Sequence, residues 1–486
     1  MEINYYQYVL ECIRSRIWTK FLNIVSYKLA LLFIKPVSEV KTSNSSYYNN
    51  DLANDPIFKK SKMEIMRIIC KYYMSIISNQ KEYISEIENH STVRILSEEI
   101  AIDDVSIVRN NTINKSSEYF TESIFFQTFQ TLHNTQYGKE AKEFLFADFK
   151  YNDFPIVEYE KAFSIIINAN NSFYEYFKKL LSIVEKQKDS IEGKVVIYEN
   201  KNSNDFDSQI VKFTIELNKG LDELTEDPEF KNRDYELRDC KKKHFSIWEG
   251  SFDNMHKRFF TEYTKKYLYD DQNYNENLYI LIARVLIRYS FFGKDKEGIF
   301  LSLKPELYHD FHKELCFDNK FNIIEGFASP INVNSVIYHS LFPDVDKYFC
   351  SKNSFNVSIK ENLIDSNKTT DIFILNPPYT LWAIKKMSQS VDEYLQRKES
   401  VFIVCLPDWR NESKVPYSGY EILKNNRYLK SFDIVNNYNF FDFLNGLYRP
   451  INVPSLFFVL SSCDNRTTNR ITKVLREHLM NSNEEI

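Results

Sequence analysis

The sequence predicts an α/β protein: a doubly wound, mostly parallel sheet preceded by a largely helical region. Three observations carry this. From about residue 295 short apolar runs alternate with helical stretches, the pattern of a sheet wound by crossover helices. The run Asp371 to Leu375 is almost continuously apolar, as a parallel strand buried on both faces must be. Before that point, long stretches place apolar residues at helical spacing.

Taken in order, residues 1–40 read as helix, and Lys41–Asn54, rich in Ser, Asn and Tyr, as loop. Residues 56–90 return to helix, with Ile65, Ile68, Ile69, Tyr72 and Tyr73 at helical spacing. The pattern from 90 to 155 is mixed. Ala162–Gln187 reads as helix, and Glu192–Asn200, containing Val195 to Tyr198, as strand. Met255–Tyr269 and Asn277–Tyr289 read as helices. Then come a strand at Phe321–Glu325, a helix at Asn332–Phe342 and a strand at Asp371–Leu375. A helix at Leu381–Lys398, a strand at Ser400–Leu406 and a helix at Tyr417–Asn426 follow, with strands at Ser431–Val435 and Ser455–Leu460. This implies four stretches: 1–155, mostly helical; 156–294, helical; 295–465, the sheet domain; and 466–486, a polar tail.

Composition narrows the function classes. A chain of 486 residues suffices for about two or three domains, and 43% apolar residues supply a sizeable core. The net charge of -5 excludes a bulk polycation, so nucleic-acid binding would need local basic patches. The seven cysteines are scattered and odd in number, which fits a reduced intracellular compartment rather than a disulfide scaffold. The apolar run near Leu29 to Phe33 is too short to span a membrane, and no signal peptide is visible. The expectation is an intracellular protein, nuclear or cytoplasmic, neither secreted nor membrane-bound. The excess of Phe (39) and Tyr (33) over Gly (9) reads as the mark of an AT-rich genome.

The most informative segment is Asn376-Pro377-Pro378-Tyr379, directly after the Asp371–Leu375 strand. Ligands bind where strands of an open α/β sheet end. The Asn376 side-chain oxygen and the Pro377 carbonyl can accept both hydrogens of a planar amine. Pro378 stiffens the loop, and the Tyr379 ring can stack on a flat base. An exocyclic amine on a nucleobase is a poor nucleophile because its lone pair is delocalised. Holding both hydrogens localises that pair for attack on a methyl group carried by a sulfonium. The bland alternative is a proline-stiffened turn. No metal site is expected.

Three segments precede or include this one in order: Glu325-Gly326-Phe327-Ala328-Ser329-Pro330-Ile331-Asn332, Phe342-Pro343-Asp344-Val345-Asp346-Lys347-Tyr348-Phe349, and Asn376 to Tyr379. A fourth runs from Phe402 to Asp408-Trp409-Arg410. Over about residues 284–460 the chain resembles the cap-specific adenosine N6-methyltransferases, the phosphorylated-CTD-interacting factor family. The resemblance implies a Rossmann-like methyltransferase domain, S-adenosylmethionine as methyl donor, and the capped 5′ end of RNA as partner. The site of methylation would be N6 of the adenosine next to the 7-methylguanosine cap. Residues 156–294 would then form the cap and RNA-binding wall. Two departures matter. No two-tryptophan signature of a WW domain is found, which puts binding of the polymerase tail in doubt. Tyr379 stands where the family has Phe.

On this resemblance Glu325 accepts hydrogen bonds from the cofactor's amino group, or is an ordinary strand-end carboxylate. Phe327, Ala328, Ser329 and Pro330 form the turn facing the cofactor. Asn332 either caps a following helix or touches the ligand. One of Asp344 and Asp346 binds ribose, or both belong to a solvated turn. Asn376, Pro377, Pro378 and Tyr379 form the catalytic segment. Trp409 walls the base or cap pocket or packs a helix, and Arg410 pairs with phosphate. Arg284 and Arg288, four apart on one helix face, meet phosphate or form ion pairs. Other readings are a DNA adenine or cytosine amino-methyltransferase, a protein-glutamine or ribosomal-RNA methyltransferase, and a catalytically silent RNA-binding relative.

Overall fold

A computed structural model describes residues 5–34, 55–77, 136–199, 211–230, 274–289, 301–315, 321–335, 337–349, 351–352, 354–355, 370–410, 417–442 and 447–484. The expected loop Lys41–Asn54 and helix Met255–Tyr269 lie outside these residues. The chain divides into two compact units, one of Leu10–Lys186 with Phe291–Gly293, the other of Met1–Val9, Gln187–Ser290 and Lys294–Ile486. No helix among the described residues is long and apolar enough to cross a membrane.

The first unit is helical. Its helices are α1 (Tyr5–Phe33, from Leu10 on), α2 (Pro56–Ile77), α3 (Gln136–Tyr151) and α4 (Tyr159–Glu185). In α4 the buried residues Ala162, Phe163, Ile166, Ala169, Phe173, Phe177, Leu180 and Val184 recur at steps of three and four, which makes one apolar face. Aromatic rings fill the core. Trp18 packs 5.4 Å from Phe21 and edge-on to Tyr73 at 4.8 Å, and Phe21 meets Phe173 at 5.8 Å. The buried Tyr73 hydroxyl donates to Asn170 Oδ1 at 2.9 Å, so the cluster carries its polar atom satisfied.

The second unit holds the sheets. The hairpin β1 (Gly193–Glu199) and β2 (Val211–Leu217) pairs antiparallel; only its first strand was expected. Then come α5 (Leu221–Thr225), α6 (Tyr274–Tyr289), β3 (Leu301–Ser302), α7 (Pro305–Leu315), β4 (Phe321–Ala328), β5 (Ile337–Ser340) and α8 (Pro343–Asp346). They are followed by β6 (Ser351–Lys352), β7 (Thr370–Leu375), α9 (Leu381–Leu395), β8 (Ser400–Pro407), α10 (Ser418–Lys424) and β9 (Leu429–Val435). The unit closes with β10 (Asn439–Asp442), β11 (Leu447–Pro450), β12 (Ser455–Ser461) and α11 (Asn465–Glu484).

Seven strands form the main sheet in the order β6-β5-β4-β7-β8-β12-β9. Pairing is parallel from β6 to β8, and β12 runs antiparallel to both its neighbours. The structure is thus mixed α/β with a mostly parallel sheet after a helical region, as expected. Every residue of β8 and β12 is buried, which is why both read as unbroken apolar runs. The chain winds outward from β4 to β5 and β6, then returns to β7 on the other side of β4 and continues to β8. The winding therefore reverses between β4 and β7, and such a switch point opens a crevice at the carboxyl ends of the strands. A smaller antiparallel sheet, β11-β10-β3, stands apart from the seven strands.

Two expectations are corrected. The stretch Asn332–Phe342 is not a helix but a loop followed by β5. Its Ile337, Tyr338 and His339 pair with neighbours on both sides, so tertiary pairing decides the conformation. Residues 466–486 are not a mere tail, because α11 reaches Glu484 and buries Ile471, Leu475 and Leu479 in the core formed with α7 and the sheet.

Gly326 leaves room for side chains at the switch point. A Cβ there would lie 2.1 Å from Leu375 Cδ2 and 3.1 Å from Phe355 Cδ2, so both side chains pack into space that a larger residue would occupy. Gly326→Ala is expected to cost about 1–3 kcal/mol by overpacking, read as a lower urea midpoint. An unchanged midpoint would show that Leu375 has room to move.

Candidate active site at the sheet switch point

Asn376 directly follows β7, and α9 begins five residues later. The segment between is pinned at both ends. Behind it, Leu375 pairs with Val404. Ahead of it, Thr380 caps α9, its side chain accepting from Ala383 N at 3.0 Å. Thr380 N also donates to Pro378 O at 2.7 Å. The tetrapeptide is therefore a short, fixed bridge from a buried strand to a capped helix.

Within it the Asn376 amide is held from both sides. Its Oδ1 accepts from the Tyr379 hydroxyl at 2.9 Å, and its Nδ2 donates to Leu301 O of β3 at 3.4 Å. The half-buried Tyr379 ring stands edge-on to Trp409 (6.3 Å) and to Phe440 (6.5 Å). Beneath the hydroxyl lies Cys405, in the strand next to β7 and level with Asn376. Burial, reinforced by the neighbouring Cys405 thiol, holds the Tyr379 phenol well above its ordinary range. Burial likewise pushes the Cys405 thiol up to about 12. Both stay protonated at neutral pH, so the phenol spends its one hydrogen on Asn376 and the thiol can donate in turn.

The β4 side of the crevice carries Glu325, which is 4% exposed. Its Oε1 accepts from the Tyr308 hydroxyl at 2.9 Å and its Oε2 from Asn334 N at 2.7 Å. Burial, and then the adjacent carboxylate, raise the Tyr308 phenol well above its usual range, so it remains a donor. β4 runs to Ala328, beyond the expected end at Glu325, because β5 goes on pairing with it across a register shift. Pairing with β7 does stop at Glu325, opposite Ile374. Phe327 packs against Phe355 at 5.1 Å. Ala328 is buried at the end of β4, and Ser329, Pro330 and Asn332 are buried in the turn after it. Asn332 caps no helix. Its Oδ1 instead accepts from Ser329 N (2.8 Å) and Ser329 Oγ (2.7 Å), closing the turn on itself.

The sequence reading missed the groups that join these two sides. Asn334 Nδ2 donates to Ser302 Oγ at 2.6 Å, while its backbone holds Glu325. Leu301, one residue before Ser302, holds Asn376. The two-residue strand β3 thus ties the carboxylate side to the amide side. No local pattern announces such a strand; only its pairing with β10 defines it.

The remaining candidates are dispersed. Asp346 is fully buried and accepts from the Tyr289 hydroxyl at 2.6 Å. The side chain of Asp344 lies outside the described residues. Arg284 and Arg288 are buried on α6; Arg284 donates to Gln7 Oε1 at 2.9 Å, and Arg288 lies 5.1 Å over the Phe342 ring. Arg410 grips Asp408 with two bonds of 2.7 and 2.6 Å and lies over the rings of Tyr420 and Phe432. That fork holds the Asp408 carboxyl below the usual carboxylate range. Trp409 packs 5.6 Å from Tyr417.

Residues 256–444 match the family model described as the phosphorylated CTD interacting factor 1 WW domain. The matched residues include β4 to β9 and the segment Asn376 to Tyr379. The match supports a relationship to that family, in line with the resemblance carried by the four motifs. It does not bear out the expectation of a relative without a WW domain, and a role in binding the polymerase tail is compatible with it. A comparison with curated proteins gives no match.

The raised Cys405 thiol makes a direct test of this geometry. At about pH 9, roughly one part in a thousand of a thiol with a pKa near 12 is thiolate. Iodoacetamide is therefore expected to leave Cys405 unmodified in the folded protein and to alkylate it fully in urea, read by peptide mass spectrometry. Ready alkylation of the folded protein would contradict a thiol sealed under Tyr379.

Proposed function

We infer that this chain is an S-adenosylmethionine-dependent methyltransferase acting on N6 of the adenosine next to the 7-methylguanosine cap of mRNA. One observation carries the reading: an Asn-Pro-Pro-aromatic segment follows β7 at the switch point of the sheet, and the buried Glu325 carboxylate lies on the adjacent strand β4. The relationship to the phosphorylated-CTD-interacting factor family supports it and points to the cap-adjacent adenosine.

The residues of the β4 side fit the cofactor in chemistry. A buried carboxylate whose oxygens are fixed by Tyr308 and Asn334 is a preorganised negative charge, matched to a cationic ligand. Glu325, the turn Phe327 to Pro330, Asn332 and one of Asp344 and Asp346 would hold it. When bound, the cofactor supplies an electrophilic methyl group on a sulfonium. Asn376 Oδ1 and the Pro377 carbonyl accept the two amine hydrogens and draw the nitrogen towards tetrahedral geometry. Positive charge grows on that nitrogen, facing two fixed acceptors, and its surplus proton passes to water afterwards. Tyr379 and Trp409 wall the base. Arg410, at the exposed edge, is the proposed phosphate contact of the capped end; Arg284 and Arg288, buried on α6, are structural instead.

Asn376→Ala is expected to lower kcat roughly a hundredfold to a thousandfold, with S-adenosylmethionine affinity and thermal melting unchanged. Full activity would remove Asn376 from the mechanism. For substrate, capped RNA beginning with adenosine is expected to yield N6-methyladenosine, and the same RNA with a triphosphate end to react poorly. Preference for duplex DNA would make the chain a DNA amino-methyltransferase. Failure to bind S-adenosylmethionine would make it a silent RNA-binding relative.

A further inference from the structure

We propose that the Tyr379 hydroxyl is a positioning group that aims the Asn376 amide, so that Oδ1 rather than Nδ2 faces the reacting amine. This rests on reading Asn376 as the amine acceptor. It adds a task to Tyr379 beyond stacking, and it concerns the one atom by which Tyr379 differs from the Phe of the resembling family.

An asparagine amide is nearly symmetric in shape but opposite in chemistry at its two ends. Turned over, it would present a donor to a donor, and the substrate amine would be repelled. Something must choose the orientation. At Asn376 the choice is made by two bonds of unequal quality. The Nδ2 bond to Leu301 O is long, at 3.4 Å, near the limit of a useful hydrogen bond. The Tyr379 bond to Oδ1 is of ordinary length, at 2.9 Å. The Leu301 carbonyl can only accept, so it decides which end of the amide faces it; Tyr379, with the shorter bond, holds the amide in that orientation. A flipped amide would also set its oxygen against the Leu301 carbonyl, acceptor against acceptor.

The hydroxyl is itself held. Its ring is confined by Trp409 and Phe440, and its oxygen lies in hydrogen-bonding reach of the Cys405 thiol. Its one hydrogen goes to Asn376 Oδ1, and Asn376 Nδ2–H goes on to Leu301 O. A carbonyl oxygen has two lone pairs, so Oδ1 keeps one for the substrate amine. Donation by Tyr379 weakens that remaining lone pair somewhat. Fixing its direction outweighs this, because misplacement of a reacting geometry costs more than a small change in acceptor strength.

The test is a double-mutant cycle with kcat and KM separated. In the natural background Tyr379→Phe keeps the ring and loses the hydroxyl. The expected result is a fall in kcat of about tenfold, with the KM for capped RNA and the Kd for S-adenosylmethionine within about twofold. In the Asn376→Asp background the side chain presents an acceptor whichever way it turns. There Tyr379→Phe is expected to change kcat by less than about twofold. No loss in the natural background, or equal losses in both, would overturn the proposal.

A second readout needs no turnover. In protein labelled with ¹⁵N-asparagine, the Asn376 side-chain amide signal is assigned by its disappearance in Asn376→Asp. Its hydrogens are expected to exchange with solvent faster in Tyr379→Phe than in the natural protein. Unchanged exchange would show that the hydroxyl does not hold the amide. This readout separates the two readings: a protected amide in a protein that methylates no nucleic acid leaves the positioning role intact and refutes the enzyme.

Discussion

The candidate site depends on one adjacency, the parallel pairing of β4 with β7 up to Glu325 and Ile374. Where that pairing ends, the two strands go to different tasks. β4 continues along β5 into the closed turn of Ser329 and Asn332, and β7 breaks into Asn376. A carboxylate and an amide reach neighbouring positions because the sheet reverses its winding between these strands, which leaves their carboxyl ends uncovered by a crossover helix. The adjacency is secured from below. Phe373 stacks on Phe402 at 4.5 Å with nearly parallel planes, and Asp371 at the other end of β7 is tied to Lys398 Nζ at 2.6 Å and Asn322 Nδ2 at 3.0 Å.

Energetics and position are separable here. The stability of the unit comes from the buried runs of β7, β8 and β12, each large side chain contributing about 1.5–3 kcal/mol on burial. The bonds that define the site are few, and each contributes about 1 kcal/mol net. Leu301, Ser302 and Asn334 would scarcely alter the total. What they alter is direction: Asn334 fixes one oxygen of Glu325, and Leu301 receives Asn376. The small sheet β11-β10-β3 meets the site at two points: Leu301 of β3 receives Asn376 Nδ2, and Phe440 of β10 stands edge-on to the Tyr379 ring.

Much of this frame was legible in the sequence. β7, β8 and β12 are almost continuously apolar because both faces are buried, and short runs of that kind between turns read as strands. The place of the Asn376 segment, between a buried strand and a helix, was legible because an apolar run ends there in two prolines. Asn332–Phe342 was misread because β5 is short and earns its conformation from pairing with β4 and β6, contacts that local pattern does not carry. β3 and the β10–β11 hairpin are shorter still. Tyr308 and Asn334 were missed for a different reason. Their roles lie in reaching Glu325 from a helix 17 residues before it and from a loop nine residues after it, and neither distance has a motif.

The electrostatic character of the crevice follows from the same packing. The titratable groups that bear on Tyr379 are Cys405, Tyr417 and Tyr438, and burial raises all three. Arg410, the cation nearest in sequence to Trp409, is committed to Asp408. The groups packed around Tyr379 are therefore neutral dipoles. A fixed anion there would carry a larger desolvation cost than a neutral acceptor. A cation would oppose the charge that develops on the nitrogen. Oriented neutral acceptors avoid both costs, because they cost little in the ground state and gain strength as the charge appears. An amide and a peptide carbonyl meet that requirement at every pH where the fold survives. That is why the proposed mechanism asks for no general base at the end of β7.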